Sequence, residues 1–197
     1  MTAAALLVLA STSRYRRELL ARLYRSFGVR SPGVDETSQP GETPVALAER
    51  LARAKALAVA TAEPGAIVVG SDQVVDLGGV ALGKPGAPER ARAQLAALSG
   101  RRAVFQTAVA VAADGGRHLD SRVVPTTVEF RPLSPAEIDA YLAREDALDC
   151  AGSFKSEALG IALCARIASD DPTALVGLPL IATAALLRAA GLDPLHG

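Results

Sequence analysis

Tryptophan is absent from the sequence, and aromatic residues make up only 4% of its 197 positions. A core built on stacked rings is thereby excluded, and Ala, Leu and Val must fill the interior. The two cysteines, Cys150 and Cys164, are too few for a disulfide framework and lack metal-ligand spacing. They read as reduced thiols that pack. Only two histidines are present, His118 and His196, so a His-based zinc site or a Ser-His-Asp set is not expected. Neither charge is in excess, with 21 Lys and Arg against 21 Asp and Glu. Such a chain has no general affinity for a polyanion, so bulk nucleic-acid binding is not expected. The opening "TAAALLVLA" is too short to span a bilayer and lacks a charged n-region. It reads as a buried strand, and the protein is expected in the cytoplasm, off the membrane. Neither a G-x-x-x-x-G-K-[ST] loop nor a dinucleotide glycine fingerprint occurs.

What is present is a chain that is 50% hydrophobic, which excludes disorder. Its length suits one domain, residues 1–197, with two lobes sharing a sheet. Residues 5–10 read as a strand. Ser13 can cap a helix to about Phe27, ended by Gly28. Residues 29–42 read as loop. Thr43-Pro44 starts a second helix that reaches Ala62. "AIVVG" at 66–70 is a buried type of strand, followed by a hairpin that turns at Gly78-Gly79. Pro88 opens a helix to Leu98. Two long β segments, 102–112 and 117–130, join at Asp114-Gly115-Gly116. Ser134 and Glu137 form a capping box for a helix to Arg144. "AGSFKSEALGI" reads as loop leading into strand, and "GLPLIATAALLRAAG" as a final helix. The mixture is α/β, with hairpins too long for a simple doubly wound sheet.

The sharpest anomaly is "LASTSRYRRELLARLY". Arg14, Arg16 and Arg17 occupy the first turns of a helix, where the macrodipole disfavours cations. A bound anion would offset that cost, and guanidinium groups grip phosphate in a bidentate way. The pattern points to a polyphosphate pocket. Carboxylates lie nearby in the motif sense: Asp72 just past a buried strand in "GSDQVV", and Asp35 and Glu36 in "GVDE". Carboxylate oxygens are the usual Mg²⁺ ligands beside substrate phosphates. Lys55, Lys84 and Lys155 are each a surface lysine or a phosphate ligand on their own spacing. Asp170 and Asp171 read as turn residues or as groups that support the site from behind, with the turn favoured.

Taken together these segments resemble the Maf family of nucleoside triphosphate pyrophosphatases. "LASTSRYRRELL" is similar to the family's opening Ser-x-Ser-Pro-x-Arg-Arg. "VDE", "LAERLARAKA", "VVGSDQVV", "GKP", "LSGRRAVFQTAVAV", "VEFRPLSPAEIDAYL", "AGSFKSEALG" and "VGLPL" follow in the family's order. Arg14 stands where the family has proline. Tyr15, Gln73 and Glu157, at three discriminating places, are similar to the branch that hydrolyses 7-methylguanosine triphosphate rather than the dTTP/UTP branch.

The resemblance implies an α/β fold of the Ham1, inosine triphosphatase-like kind: an elongated mixed sheet with flanking helices and two lobes around a central cleft. It implies hydrolysis of a nucleotide at the α–β linkage, a house-cleaning role. Ser11, Ser13, Arg16, Arg17, Lys55 and Lys84 would bind phosphates, and Lys155 is a further candidate for substrate contact. Glu36 and Asp72 would hold a divalent metal cation, Mg²⁺ by preference. Asp72 would serve as the base for the attacking water, a role that competes with metal ligation. Tyr15, Gln73 and Glu157 would set base specificity. The resemblance also suggests a homodimer. A non-catalytic nucleotide-binding regulator of septum formation is the alternative from another functional class.

Overall fold

The computed structural model describes residues 6–196; Ala5, the first residue of the expected opening strand, lies outside them. Seven strands form one mixed sheet, β1 (Leu6–Ala10), β2 (Gly28–Arg30), β3 (Ala66–Leu77), β4 (Val80–Leu82), β5 (Arg102–Ala113), β6 (His118–Phe130) and β7 (Cys164–Ser169). Five helices flank it, α1 (Arg14–Leu20), α2 (Pro44–Ala62), α3 (Pro88–Leu98), α4 (Pro135–Arg144) and α5 (Leu180–Ala189). The strand order is β2-β1-β3-β5-β6-β7, with β4 on the far end of β3. β1 pairs in parallel with β2 and β3, and every other pairing is antiparallel. This is the mixed α/β architecture expected from the sequence.

The three central strands have 12, 12 and 13 residues, so each runs roughly 40 Å at about 3.3 Å per residue. They are long enough to serve two cores in succession. One face of β3 carries Ile67 and Val69, then Ser71 and Gln73, then Val75 and Leu77. Ile67 and Val69 pack with Leu19, Leu20, Leu178, Leu186 and Leu187 beneath α1 and α5. Val75 and Leu77 pack with Leu95, Leu98, Ile138 and Tyr141 beneath α3 and α4. Thr107, level with Gln73 on β5, continues the polar interruption. Because side chains alternate along a strand, this polar belt divides one apolar face into two cores and leaves a cleft between them.

The other face of β3, through Ala66, Val68 and Val74, is covered by α2. Helix α2 begins with a Thr43 side chain that accepts from Ala46 N at 3.3 Å, and Pro44 fills the first turn. Its inward stripe includes Ala48, Leu51, Ala52, Lys55, Ala56 and Val59, all buried. Gly70 lets the helix lie directly on the strand. A Cβ there would stand 2.4 Å from Ala52 O and 2.6 Å from Ala56 N. That close approach sets the height of Lys55 above the sheet.

The hairpin at Gly78-Gly79, the α3 span and the Ser134–Glu137 capping box are as the sequence implied. Three elements differ. Helix α1 has seven residues and does not reach Phe27, because after Ala21 the bonds tighten to Leu19 and Leu20 carbonyls and the chain turns back. It must do so to lay Gly28–Arg30 parallel to β1, a short edge strand within the expected loop. The last strand begins at Cys164, after two 3-10 turns at Ala151–Ser153 and Leu159–Leu163. No helix among the described residues is long and apolar enough to cross a membrane.

Candidate active site

A cleft of about 850 Å³ opens between the two cores. The β1–α1 loop, the segment after β2, α2, β3, the loop after β4, the segment after α4 and residues 175–177 all reach it. Two sets of charged groups face it.

The first set is mainly cationic. Ser13 caps α1, its side chain accepting from Arg16 N at 3.5 Å, and Ser13 N donates to Ser11 Oγ at 3.1 Å. The short turn aims Arg16 inward. Arg16 Nε donates to Gly177 O at 3.0 Å, and Nη1 lies 3.5 Å from Ser11 Oγ. Burial weakens the guanidinium's hold on its proton, and Asp72 and Glu36 oppose that shift. Among the described residues no carboxylate is within ion-pair distance of Arg16. Lys84 is exposed at the cleft edge. Arg17 is exposed and does not line the cleft.

Lys55 is 4% exposed and ion-paired twice. Its Nζ lies 2.6 Å from Asp72 Oδ1 and 2.6 Å from Glu36 Oε1. Asp72 is buried and does not itself line the cleft; among the described residues Oδ2 accepts no hydrogen bond. Partial burial pushes the Glu36 carboxyl up, but the Lys55 ammonium, with Lys84 and Arg16 beyond it, prevails and the net shift is downward. Two carboxylates thus converge on one cationic point. No group of three or more His, Cys, Asp or Glu among the described residues could hold a metal. Mg²⁺ commonly uses one or two carboxylates and completes its shell with phosphates and water, and Glu36 with Asp72 fit that requirement.

The second set is mainly acidic. Asp146, Asp149 and Glu157 line the cleft from the segment after α4. Tyr15 faces them, its hydroxyl 3.9 Å from Cys150 Sγ. The Arg14 guanidinium carbon lies 4.7 Å from the Tyr15 ring centroid, and Nη2 donates to the hydroxyl at 2.6 Å. The Tyr15 hydroxyl, with lesser help from the charges of Asp149 and Asp146, strengthens that guanidinium's hold on its proton. Cys150 lines the cleft, although its thiol is pushed up to about 12 by burial and stays protonated.

Between the sets stands Gln73. Its amide nitrogen is within hydrogen-bond distance of Thr107 Oγ1 (2.9 Å), Ala174 O (3.0 Å) and Leu175 O (3.1 Å). The amide oxygen is thereby turned the other way. Lys155 is not brought to the cleft wall: its ammonium lies 2.5 Å from Glu145 Oε1, and Glu145 Oε2 also accepts from Leu159 N at 3.1 Å. That pair fastens the loop bearing Glu157 to α4. Asp146, Asp149 and Gly177 were not singled out by their sequence context. For the first two a signal existed, the acidic run "REDALDC". Gly177 acts through a backbone carbonyl, which no side-chain pattern reports.

A mixed α/β protein whose cleft presents Arg16, Lys55, Lys84 and Glu36, with Asp72 paired to Lys55 behind the wall, has the charge pattern of a protein that binds phosphates. The profile of the family "Maf-like protein" matches residues 6–190, and the chain belongs to the Maf family. It is 60% identical over 185 residues to a protein of Xanthomonas campestris pv. campestris (strain 8004) named 7-methyl-GTP pyrophosphatase, covering 94% of this chain and 96% of that one. A protein of the same name from Bordetella pertussis (strain Tohama I) is 56% identical over 191 residues, or 97% and 95% of the two chains. Among solved structures, the Ham1 protein of Staphylococcus aureus is 18% identical with a TM-score of 0.46, over 63% of this chain and 71% of that one.

Proposed function

We propose that the protein is a nucleoside triphosphate pyrophosphatase that hydrolyses 7-methyl-GTP to 7-methyl-GMP and diphosphate. The observation that carries the choice of base is Arg14 over Tyr15 in a cleft that Asp146 and Asp149 also line. A planar, delocalised cation already sits on that ring. A 7-methylguanine ring is also planar and carries a delocalised positive charge, so it suits the same aromatic face and carboxylates. Glu157 adds a third carboxylate, and the Gln73 amide oxygen supplies an acceptor. The names of the Xanthomonas and Bordetella relatives point the same way.

In this reading Ser11, Ser13, Arg16, Lys55 and Lys84 hold the phosphates and offset the charge that develops as the bond breaks. Arg17, exposed outside the cleft, is assigned a lesser part. Asp72 Oδ2, which accepts no hydrogen bond among the described residues, takes the proton from a water that attacks the α-phosphorus. The α–β linkage breaks and diphosphate leaves with the bond's electron pair. Glu36, joined by Asp72 only while that carboxylate is not acting as the base, would hold a divalent cation, Mg²⁺, which would supply further charge neutralisation at the phosphates.

The test is kcat/KM for 7-methyl-GTP, GTP, dTTP and UTP with Mg²⁺, on the wild type and on Glu157→Gln. The expected result is a clear preference for 7-methyl-GTP, narrowed in the variant. A wild type that prefers dTTP or UTP overturns the substrate, and absence of diphosphate release from every nucleotide overturns the activity.

A further inference from the structure

We infer that Asp171 is a positioning residue for the cleft, tying off the segment between β7 and α5 whose carbonyls aim Arg16 and Gln73. Asp171 is 2% exposed, yet it meets no cationic side chain among the described residues. Its carboxylate is spent on donors of its own segment. Oδ1 accepts from Thr173 N at 2.9 Å and from Thr173 Oγ1 at 2.6 Å. Oδ2 accepts from Ile181 N at 2.7 Å, in the first turn of α5, where the helix dipole favours an anion. Thr173 Oγ1 in turn accepts from Leu180 N at 2.8 Å. At the other end, Asp171 O accepts from Ser169 Oγ at 2.9 Å, and that hydroxyl accepts from Thr126 Oγ1 at 2.8 Å. The start and finish of the segment are thus knotted together and to β6.

The knot holds residues 174–177 at both ends, and the carbonyls of Ala174, Leu175 and Gly177 serve the cleft floor. Ala174 O accepts from Thr107 Oγ1 at 2.9 Å and, with Leu175 O, meets the Gln73 amide nitrogen. Gly177, at a φ of +121°, points its carbonyl at both Arg16 Nε and Ser71 Oγ, 3.0 and 2.9 Å away. With Nε anchored and Nη1 at 3.5 Å from Ser11 Oγ, Nη2 and the second hydrogen of Nη1 remain for a phosphate. A floppy guanidinium would lose rotamer freedom on binding; an anchored one has lost it already. Only a carboxylate accepts hydrogen bonds on both sides. Asparagine has the same shape but presents an NH₂ to one of the two, so Asp171→Asn should cut one arm of the knot.

The inference rests on the proposed role of Arg16 as a phosphate ligand, and its test uses a ligand with no base and no turnover. Inorganic tripolyphosphate is titrated calorimetrically into wild type, Asp171→Asn, Thr173→Val, Arg16→Ala and the two double variants. Each of the first two substitutions is expected to weaken binding roughly tenfold, the size of losing a hydrogen bond to a charged group. In the Arg16→Ala background the same substitutions should change affinity less than about twofold, since coupled residues are non-additive. An effect that persists undiminished without Arg16 overturns the inference, as does wild-type affinity in both single variants, or a wild type that does not bind tripolyphosphate. Should Asp171→Asn not fold, Thr173→Val carries the cycle. A wild type that binds tripolyphosphate but hydrolyses no nucleotide overturns the proposed activity and leaves this inference standing.

Discussion

Lys55→Met is the perturbation that exposes the logic of the paired carboxylates. The lysine side chain is 5% exposed, that of Asp72 10%, and their charged atoms are 2.6 Å apart. Methionine keeps most of the apolar stem packed in the α2 stripe and removes the ammonium. Asp72 is then a buried anion without a partner, and removing one member of a buried pair costs about 3–5 kcal/mol. The contact with Glu36 adds little to that sum, because its side chain is 57% exposed and solvent screens it. At about 2–4 °C per kcal/mol for a chain of this size, the melting temperature should fall by roughly 10 °C. Scanning calorimetry at neutral pH, without nucleotide or metal, reads it directly. Adding Asp72→Asn to the same chain removes the lone anion and should restore much of the loss, while leaving the protein without turnover. A Lys55→Met protein that melts within about 2 °C of wild type would refute the reasoning. So would a double variant less stable than the single one.

Three further outcomes are expected. Arg16→Ala should weaken triphosphate binding, with a deficit that shrinks as salt is added, whereas Arg17→Ala, outside the cleft, should change affinity by less; competition with tripolyphosphate at two ionic strengths compares them. Glu36 has its carboxyl held below the ordinary value of 4.5, so the unfolded chain binds more protons around that pH. Its contribution to stability is present in full above 4.5 and is lost as the pH falls below it, so Glu36→Gln should flatten the acid limb of a stability–pH curve; an unchanged limb refutes the assignment. Arg14→Ala should uncover the Tyr15 ring and remove a competing cation, raising the ratio of 7-methyl-GTP to GTP affinity severalfold, on the order of 1 kcal/mol; an unchanged or lower ratio argues against base stacking at Tyr15.

The sequence made Lys55 readable only in hindsight of its spacing. It stands in register with Ala48, Leu51, Ala52 and Val59, a charged residue on an apolar stripe, and such a residue must find a buried counter-charge. Ser71 and Gln73 carried a similar signal, two polar side chains on the core face of an otherwise apolar strand. Elements with strong end signals, such as Pro88 at the start of α3 and the Ser134–Glu137 box, were legible at once. β2 was not, because a three-residue edge strand with Val29 as its one large apolar side chain has no periodicity to show. The truncation of α1 was also hidden, since Leu23 and Phe27 keep helical spacing from Leu19 and Leu20 while packing from turns instead. The part of Asp171 depends on carbonyls that topology alone brings to Arg16 and Gln73.

The uninterrupted pairing of β3 with β5, from Val68 opposite Ala112 to Asp76 opposite Val104, has a mechanical consequence. The cores at its two ends are joined by a rigid beam rather than by a linker. A sharp bend at the cleft would strain the backbone hydrogen bonds at Ser71, Asp72 and Gln73, in the middle of the ladder, so the sheet resists hinging there.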